Sequence, residues 1–502
     1  LHKEYRRQRQ MCIRDRKKYI VFIAVSSLLF CSSCTSFLEE TNPNKIPAST
    51  FYQTEDDIAM AANGAYAALR GNGYYKNMYL YTDVRSENTT LQDPGAGNGV
   101  NYQFYNYTLT TDNAQVKTHW ADLYKCVTRA NIILDQIDDI PFKDEVVKNQ
   151  KKAEMYFLRG LTYFHLVMQF GDVPIVTKEL KTKDEIQKYT ARQPKSEVYN
   201  LIISDLTQVI NSELPDIQTG NGVGRASKAA AYALLGKVYL TMAADSDFQS
   251  ERTSNLQSAK TNLVAAWNMK PFTSLKDIPY ADVFDKEAQT FCQENIFQVM
   301  YKGGNSSLAS NYAYIFQPTS QTGLTSQKTG TGNNIPTSDM MSAYESGDTR
   351  KAISCGTSQN VNYVKKYTDL DDINGYGANN WIVLRYADVA LMLAEVKMHL
   401  SENDAVSYLN MVRERAGLDD YSGSSLRDAI LRERRVEFAF EGQYWYDLLR
   451  LYSRQELLEH MKAKNPNFSA KDFLLPIPYD EHKLDPTRMY QNEGYNLSLI
   501  HI

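Results

Sequence analysis

The segment LRERRVEFAFEGQYWYDLLR, Leu431 to Arg450, constrains what this chain can fold into more than any other stretch. It opens as an amphipathic helix, stops at Gly442 and restarts behind a Tyr-Trp-Tyr cluster and Asp447. At about 100° per residue, Leu426, Ala429, Ile430, Val436 and Phe440 share one face. Glu433 and Glu437 fall on that same face, four residues apart. A carboxylate on an apolar stripe needs a partner, because burying a lone charge is prohibitively costly. Arg432, Arg434, Arg435 and Arg450 are at hand in the sequence. The pattern reads either as a built-in ion-pair network or as a catalytic carboxylate pair.

Glycoside hydrolysis places two carboxyl groups about 5–10 Å apart on either side of a sugar bond. Residues at i and i+4 of one helix are neighbours pointing the same way, and do not flank a substrate. Dense arginine is expected to hold both pKa values down, the wrong direction for a general acid. A structural network of Glu433 and Glu437 with Arg434 and Arg450 is therefore the preferred reading. No other catalytic constellation stands out. The seven histidines are scattered without H-E-x-x-H or paired Cys/His spacing, so no metal is expected. No G-x-S-x-G elbow is present. The run Gly220 to Arg225 (GNGVGR) opens a helix, but it lacks a G-K-[ST] ending and no strand leads into it. It reads as a flexible entry into a helix at Ser227, not as a phosphate cradle. Trp120, Trp267 and Trp445 sit in helical patterns and read as core. Neither a cofactor nor enzymatic activity is expected.

The chain of 502 residues is long enough for two or three conventional domains or one large helical one. Its charge is unevenly placed. Residues 1–33 carry eight Lys/Arg and two Asp/Glu, leaving 47 against 57, a net −10, for residues 34–502. A negative body argues against nucleic acid as a partner. Tyrosine is over-used, with 35 Tyr beside 4 Trp and 19 Phe. A tyrosine offers a flat apolar face with a polar tip, which suits wet recognition surfaces, although most of these are expected to line helix seams.

The N-terminal region reads as an address. Lys17 and Lys18 precede the apolar run Tyr19 to Phe30, of signal-peptide length and short for a membrane span. Cys31-Ser-Ser-Cys34 matches C-x-x-C formally, but that motif needs a folded helix N-terminus to activate a thiol. Closing an apolar run, it resembles a bacterial lipoprotein signal with Cys34 as the acylated residue. This gives a signal peptide at 17–33 and a lipid-anchored tether at 34–54, with 1–16 and 497–502 read as non-native ends. Cys126, Cys292 and Cys355 remain, an odd and widely spaced set without a disulfide framework.

Along the rest of the chain, a helix is predicted from Glu55 to Leu69 with Thr54 as N-cap. Residues 71–115, rich in Gly, Asn, Asp and Tyr, read as loops and short strands. Helical periodicity then runs through HWADLYKCVTRANIILDQI, KKAEMYFLRGLTYFHLVMQF, KSEVYNLIISDLTQVI and SKAAAYALLGKVYLTMA. Two of these share a kernel of glycine followed three residues later by tyrosine, Gly160/Tyr163 and Gly236/Tyr239, as tetratricopeptide helices do. The kernels lie 76 residues apart, not a multiple of 34, so a degenerate helical-pair array is expected. Residues 244–380 form a loop-rich region with one helix (Ala259 to Trp267), a strand in ENIFQVMYKG and a long polar tract from Gly303 to Pro336. Helices return over 381–496, and FLLPIPYDEHKLDP closes the chain as an extended stretch. The fold class is mostly α: a tetratricopeptide-like scaffold over 55–243 and 381–496 with irregular insertions and a few short strands.

Taken in order, CTSFLEETNP, FYQTEDDIAMAANGAYAALR, AEMYFLRGLTYFHLVMQFGDVPIV, GRASKAAAYALLGKVYL, RYADVALMLAEVKMHL, RERAGL, LRERRVEFAFEGQYWYDLLR and LLPIPYDEHKLDP with QNEGY resemble the SusD/RagB family of Bacteroidetes surface lipoproteins. The resemblance implies a non-enzymatic lipoprotein facing outward from the cell outer membrane. Such a protein caps a SusC-like TonB-dependent transporter and delivers oligosaccharides, or occasionally peptides, to it. A pure assembly scaffold is the third reading. Sugar capture needs aromatic faces and polar partners, so the loop tracts 71–107 and 301–330 hold the candidates: Tyr74, Tyr75, Tyr102, Tyr105, Tyr312 and Tyr314, with Arg85 and Asn98 as polar partners.

Overall fold

Helices dominate the computed structural model, which describes residues 51–93, 95, 99–320, 323–327 and 329–495. With 54% helix against 7% strand, the fold is mostly α. The helices belong to the compact unit that begins at Thr54. Its first helix, α1 (Glu55–Ala68), starts where a capping box forms. The Thr54 hydroxyl accepts from the Asp57 backbone N–H, and the Asp57 carboxylate accepts from that of Thr54 at 2.9 Å.

The helical-pair array comes next: α2 (Ala114–Gln136), α3 (Glu145–Phe170), α4 (Lys195–Ile210), α5 (Lys228–Ala244) and α6 (Arg252–Asn268). Each packs on the next, and α1 lies against α2 and α3. After a long excursion the chain returns with α7 (Tyr386–His399), which docks directly on α6 and extends the array through α8 (Ala405–Arg415). The glutamate-bearing segment becomes α9 (Leu426–Glu437) and α10 (Tyr444–Leu451), and α11 (Arg454–Lys464) succeeds it. The first of these helices ends at Glu437, ahead of Gly442, and Phe440 and Gly442 both adopt positive φ (67° and 71°) in the link.

The two glycine kernels are not equivalent. A Cβ on Gly236 would lie 2.6 Å from Leu263 Cγ and 3.3 Å from the Leu263 backbone nitrogen, so α5 and α6 meet closer than any side chain permits. At Gly160 the nearest atom of α4 would be Leu206 Cδ2 at 3.4 Å, ordinary contact. Tyr163 is buried and pins the chain after α3, accepting from Val176 N–H at 2.7 Å and donating to Val176 C=O at 3.1 Å. Tyr239 is only half-buried. Ser227 caps α5 by accepting from Ala230 N–H, with a single turn at Gly220–Gly222 before it.

Strands come only in pairs among the described residues. β1 (Thr89–Thr90) pairs with β5 (Ile335–Pro336), β2 (Val173–Pro174) with β3 (Arg192–Gln193), β4 (Asn295–Val299) with β8 (Trp381–Arg385) and β6 (Cys355–Ser358) with β7 (Val361–Val364), all antiparallel. The β6–β7 hairpin turns on Gln359 and Asn360, both left-handed, as a type I′ turn requires. The strand expected in ENIFQVMYKG is β4, and the helix expected from Ala259 is the second half of α6.

One region departs from expectation. Residues 73–86, read as loop and short strand, form successive short helical turns (Tyr75–Asn77, Met78–Tyr81, Asp83–Arg85), and all but Asn77 are buried. A segment enclosed on every side carries no amphipathic period, which leaves its composition looking like that of a loop.

Candidate functional site

Glu433 and Glu437 are 2% and 0% exposed, with no route to a substrate. Arg350 spans the pair, at 2.6 Å from Glu433 and 2.8 Å from Glu437. Glu437 also meets Arg385 at 2.5 Å and Arg415, while Glu433 reaches Arg413 at 3.3 Å. Asp348, Glu294, Glu345 and Glu441 close the outer sides of these arginines, and Lys366 joins Glu441 at 2.8 Å. The arginines on Glu433 and Glu437 are therefore not those of the segment itself. Arg434 and Arg450 serve a second cluster: Arg434 with Asp388 (2.8 Å) and Asp447 (2.7 Å), Arg450 with Glu395 (2.6 Å) and Asp447 (2.9 Å). The expectation that both carboxyls are depressed is corrected too. Burial pushes Glu437 up, but Arg415, Arg385 and Arg350 outweigh it and hold the group far below the usual carboxylate range. At Glu433 burial prevails over Arg350 and the pKa is raised.

The tract 71–107 is zipped to the end of the tract 301–330 and to the residues just beyond it, up to Thr337. Besides the β1–β5 pairing, Gln92 N–H donates to Gly332 C=O at 2.8 Å, Thr319 N–H to Gln92 Oε1 at 2.9 Å, and Thr337 N–H to Asn88 C=O at 3.0 Å. Within the resulting face, the predicted residues divide by depth. Tyr74, Tyr75, Arg85 and Tyr312 are core, each 0–1% exposed, and do not project to solvent as recognition groups. Tyr74 stacks on Tyr75 with centroids 4.6 Å apart, and the Tyr75 hydroxyl meets His165 Nε2 at 2.9 Å. Tyr312 lies 5.2 Å from Trp381 and donates to the Tyr75 carbonyl at 3.0 Å, tying the two tracts together from below. The Arg85 guanidinium lies 4.7 Å over Trp445 and donates to the Asp472 carbonyl. Aromatic residues in loop composition thus became the floor of the face, because the tracts carry their own small core.

Tyr102, Tyr105 and Tyr314 remain partly exposed. Tyr102 and Tyr105 sit on one short helix, Tyr102–Tyr105, with ring centroids 5.6 Å apart at 42°. Asn98 and Cys34 lie outside the described residues. Beside Tyr105 opens a cavity of about 180 Å³, walled by Ser86, Glu87, Thr89, Tyr107, Thr337 and Asp339 and, from α11 and its C-terminal edge, by Met461, Lys464 and Asn465. Glu87 is anchored there through Oε1, which accepts from the Tyr444 hydroxyl and meets His460 Nε2, both at 3.0 Å. Burial pushes the Glu87 carboxyl up, yet the His460 hydrogen bond and Arg435 leave it below its ordinary value. Sequence reasoning missed Glu87, Thr89 and Asn465. They come together only when β1 pairs with β5 and α11 folds back over both.

Other hollows are differently furnished. A cleft of about 400 Å³ between α3, α5 and α10–α11 includes Tyr199, Tyr452 and Arg454, but its Lys195 is already neutralised by Asp245 (2.6 Å) and Asp247 (2.7 Å). Among the described residues no group of three or more His, Cys, Asp or Glu is placed to hold a metal ion, and no helix is long and apolar enough to cross a membrane.

Known proteins share this architecture and its sequence landmarks. The profile of proteins described as starch-binding and associating with the outer membrane matches residues 36–240, and that of the SusD family matches 349–495. SusD-like protein P2 of Formosa agariphila is 30% identical, the match covering 95% of this chain and 100% of that protein. A SusD-like protein of Bacteroides ovatus is 24% identical, over 86% of this chain and 82% of its own length. Among solved structures, a laminarin-binding SusD-like protein is 26% identical with a TM-score of 0.74, covering 88% of this chain and 100% of that one. B. fragilis NanU shares the fold at 24% identity and a TM-score of 0.75, covering 91% and 99%. The chain belongs to the SusD/RagB family.

Proposed function

We propose that this chain is a lipoprotein of the cell outer membrane that captures oligosaccharides or polysaccharides and hands them to a SusC-like TonB-dependent transporter. One observation carries the reading. Stretches from distant parts of the sequence are joined by the β1–β5 pairing, and beside them Tyr102, Tyr105 and Tyr314 stay partly exposed, with a cavity opening next to Tyr105. Rings of this kind stack on the apolar faces of sugars while neighbouring polar groups take the hydroxyls. A 26% identical structural relative is named for binding laminarin, which supports a glycan as the ligand class. Acylated Cys34 is the anchor in this reading. Capture and not turnover is proposed, since the paired glutamates are enclosed and matched by arginine.

The test is affinity electrophoresis of the purified chain against soluble α-glucans, β-glucans, mannans and galactans, with a peptide library in parallel. The expected result is retardation by at least one glycan, weakened at least tenfold in the Tyr102→Ala/Tyr105→Ala double variant. Binding of peptides alone, or of nothing, contradicts the reading.

A further inference from the structure

Asp and Glu number 59 among the 502 residues, yet none falls between Ile58 and Thr82 or between Asn295 and Ser338. The fold brings these two acid-free stretches together. Lys76 Nζ donates to the Ser306 carbonyl at 3.2 Å, and Arg70 reaches the Met300 carbonyl at 3.5 Å. The Tyr312 hydroxyl, which donates to the Tyr75 carbonyl, fixes the backbone beside Lys76. Lys302, which is exposed, adds a third cation on the same loop.

These cations have no anions. Among the described residues no carboxylate pairs with Arg70, Lys76 or Lys302, and the charged group that faces Lys76 is Arg70, of like sign. Lys76 is only 8% exposed, and its ammonium finds one acceptor for three N–H groups. Burial first, and Arg70 second, push its pKa below the ordinary lysine value. An enclosed ammonium set beside a second cation is costly unless a counter-charge arrives from outside. The approach is open, because Asn305, Ser306 and Ser307 are exposed and Arg70 is half-buried.

We propose that Arg70 and Lys76, with Lys302 at the rim, bind a negatively charged group of the captured glycan, a uronate carboxylate or a sulfate ester. The inference rests on the glycan reading above and names the class of glycan. A guanidinium offers a planar fork of donors and an ammonium a compact point charge, and both suit the clustered oxygens of a carboxylate or sulfate. A neutral sugar would leave both charges uncompensated. On a body of net −10, a patch of cations alone also directs an anionic chain to this place.

The experiment adds polygalacturonate and carrageenan to the panel beside a neutral galactan, and titrates the full chain, Arg70→Gln, Lys76→Met and the double variant. Lys76→Met keeps the unbranched stem and removes an enclosed charge, so its melting temperature is expected to equal or exceed that of the parent. An acidic glycan is expected to bind more tightly than the neutral one and to weaken as salt rises from about 50 to about 500 mM. Its affinity is expected to fall roughly tenfold in the double variant, the effect of removing charged hydrogen bonds. Arg70→Gln alone is expected to lose about threefold, which keeps the test valid should Lys76→Met fail to fold. Lys183→Met removes an exposed cation from the surface helix Lys183–Tyr189 and is expected to change nothing. A response to polygalacturonate assigns the carboxylate, and a response to carrageenan the sulfate ester. Neutral glycan bound as tightly as acidic, or acidic binding that survives in the double variant or falls equally in Lys183→Met, overturns the anion site and leaves the glycan reading standing. Absence of binding to any glycan, acidic or neutral, overturns both.

Discussion

Replacing Glu437 by glutamine removes one negative charge from a site that three guanidinium groups share. Arg350 at 2.8 Å, Arg385 at 2.5 Å and Arg415 all keep their charge and lose part of their compensation in an enclosed place. Breaking a buried pair in this way costs about 3–5 kcal/mol. Unfolding entropy of about 2.1 cal/mol/K per residue, over a unit of about 450 residues, gives roughly 1 kcal/mol per degree. The expected drop in melting temperature is therefore about 3–5 °C at pH 7, read by calorimetry. Glu433→Gln provides the control. Both glutamates touch Arg350, but Glu433 meets only one further arginine, Arg413 at 3.3 Å, where Glu437 meets two. Its cost is expected to be less than half that of Glu437→Gln. The two glutamates also respond to pH with opposite signs. Glu437 has a folded pKa below the unfolded value of about 4.3, so its stabilisation is present above that pH and is lost as pH falls through the folded value. Glu433 has a raised folded pKa, so its contribution is complete below about 4.3 and is lost as pH rises through the folded value. Equal damage from the two variants at pH 7, or an unchanged melting temperature in Glu437→Gln, refutes this account of the network.

Two further predictions concern stability. Burial pushes Asp83 up to about 7, with Oδ1 accepting from Gly442 N–H at 3.2 Å. Its contribution is complete below about 3.9 and lost once pH has risen through about 7, so Asp83→Asn is expected to match the parent near pH 4 and to exceed it by roughly 2–4 kcal/mol at pH 8 in urea unfolding. A parent more stable than the variant at pH 8 contradicts this. The two kernel glycines should respond oppositely to alanine. Gly236→Ala must displace Leu263 and is expected to cost about 1–2 kcal/mol despite the better helix propensity, whereas Gly160→Ala, meeting only ordinary contacts, is expected to gain about 0.5–1 kcal/mol. Equal effects at both sites contradict the close-approach argument.

The scaffold was legible because its residues repeat with the period of a helix. Thr54 announced α1 by its cap, whereas the shared glycine kernel does not distinguish Gly236, where α5 meets α6 too closely for a side chain, from Gly160, where contact is ordinary. The proposed recognition face was legible only in outline. The tracts 71–107 and 301–330 do come together, yet Tyr74, Tyr75 and Tyr312 went to the floor while Tyr102, Tyr105 and Tyr314 stayed near the surface. Nothing in composition separates these two sets. Depth is decided by partners far away in sequence: Tyr75 meets His165 and Tyr312 meets Trp381. The partners of Glu433 and Glu437 were hidden for the same reason. Arg350, Arg385, Arg413 and Arg415 arrive from other elements, while Arg434, one position from Glu433, points to another cluster.

The most direct test of the central claim is a crystal structure of this chain with an oligosaccharide drawn from the panel. The glycan is predicted to lie across Tyr102 and Tyr105, with no contact with Glu433 or Glu437. A glycan seated instead in the cleft between α3, α5 and α10–α11, beside Tyr199 and Tyr452, would contradict it.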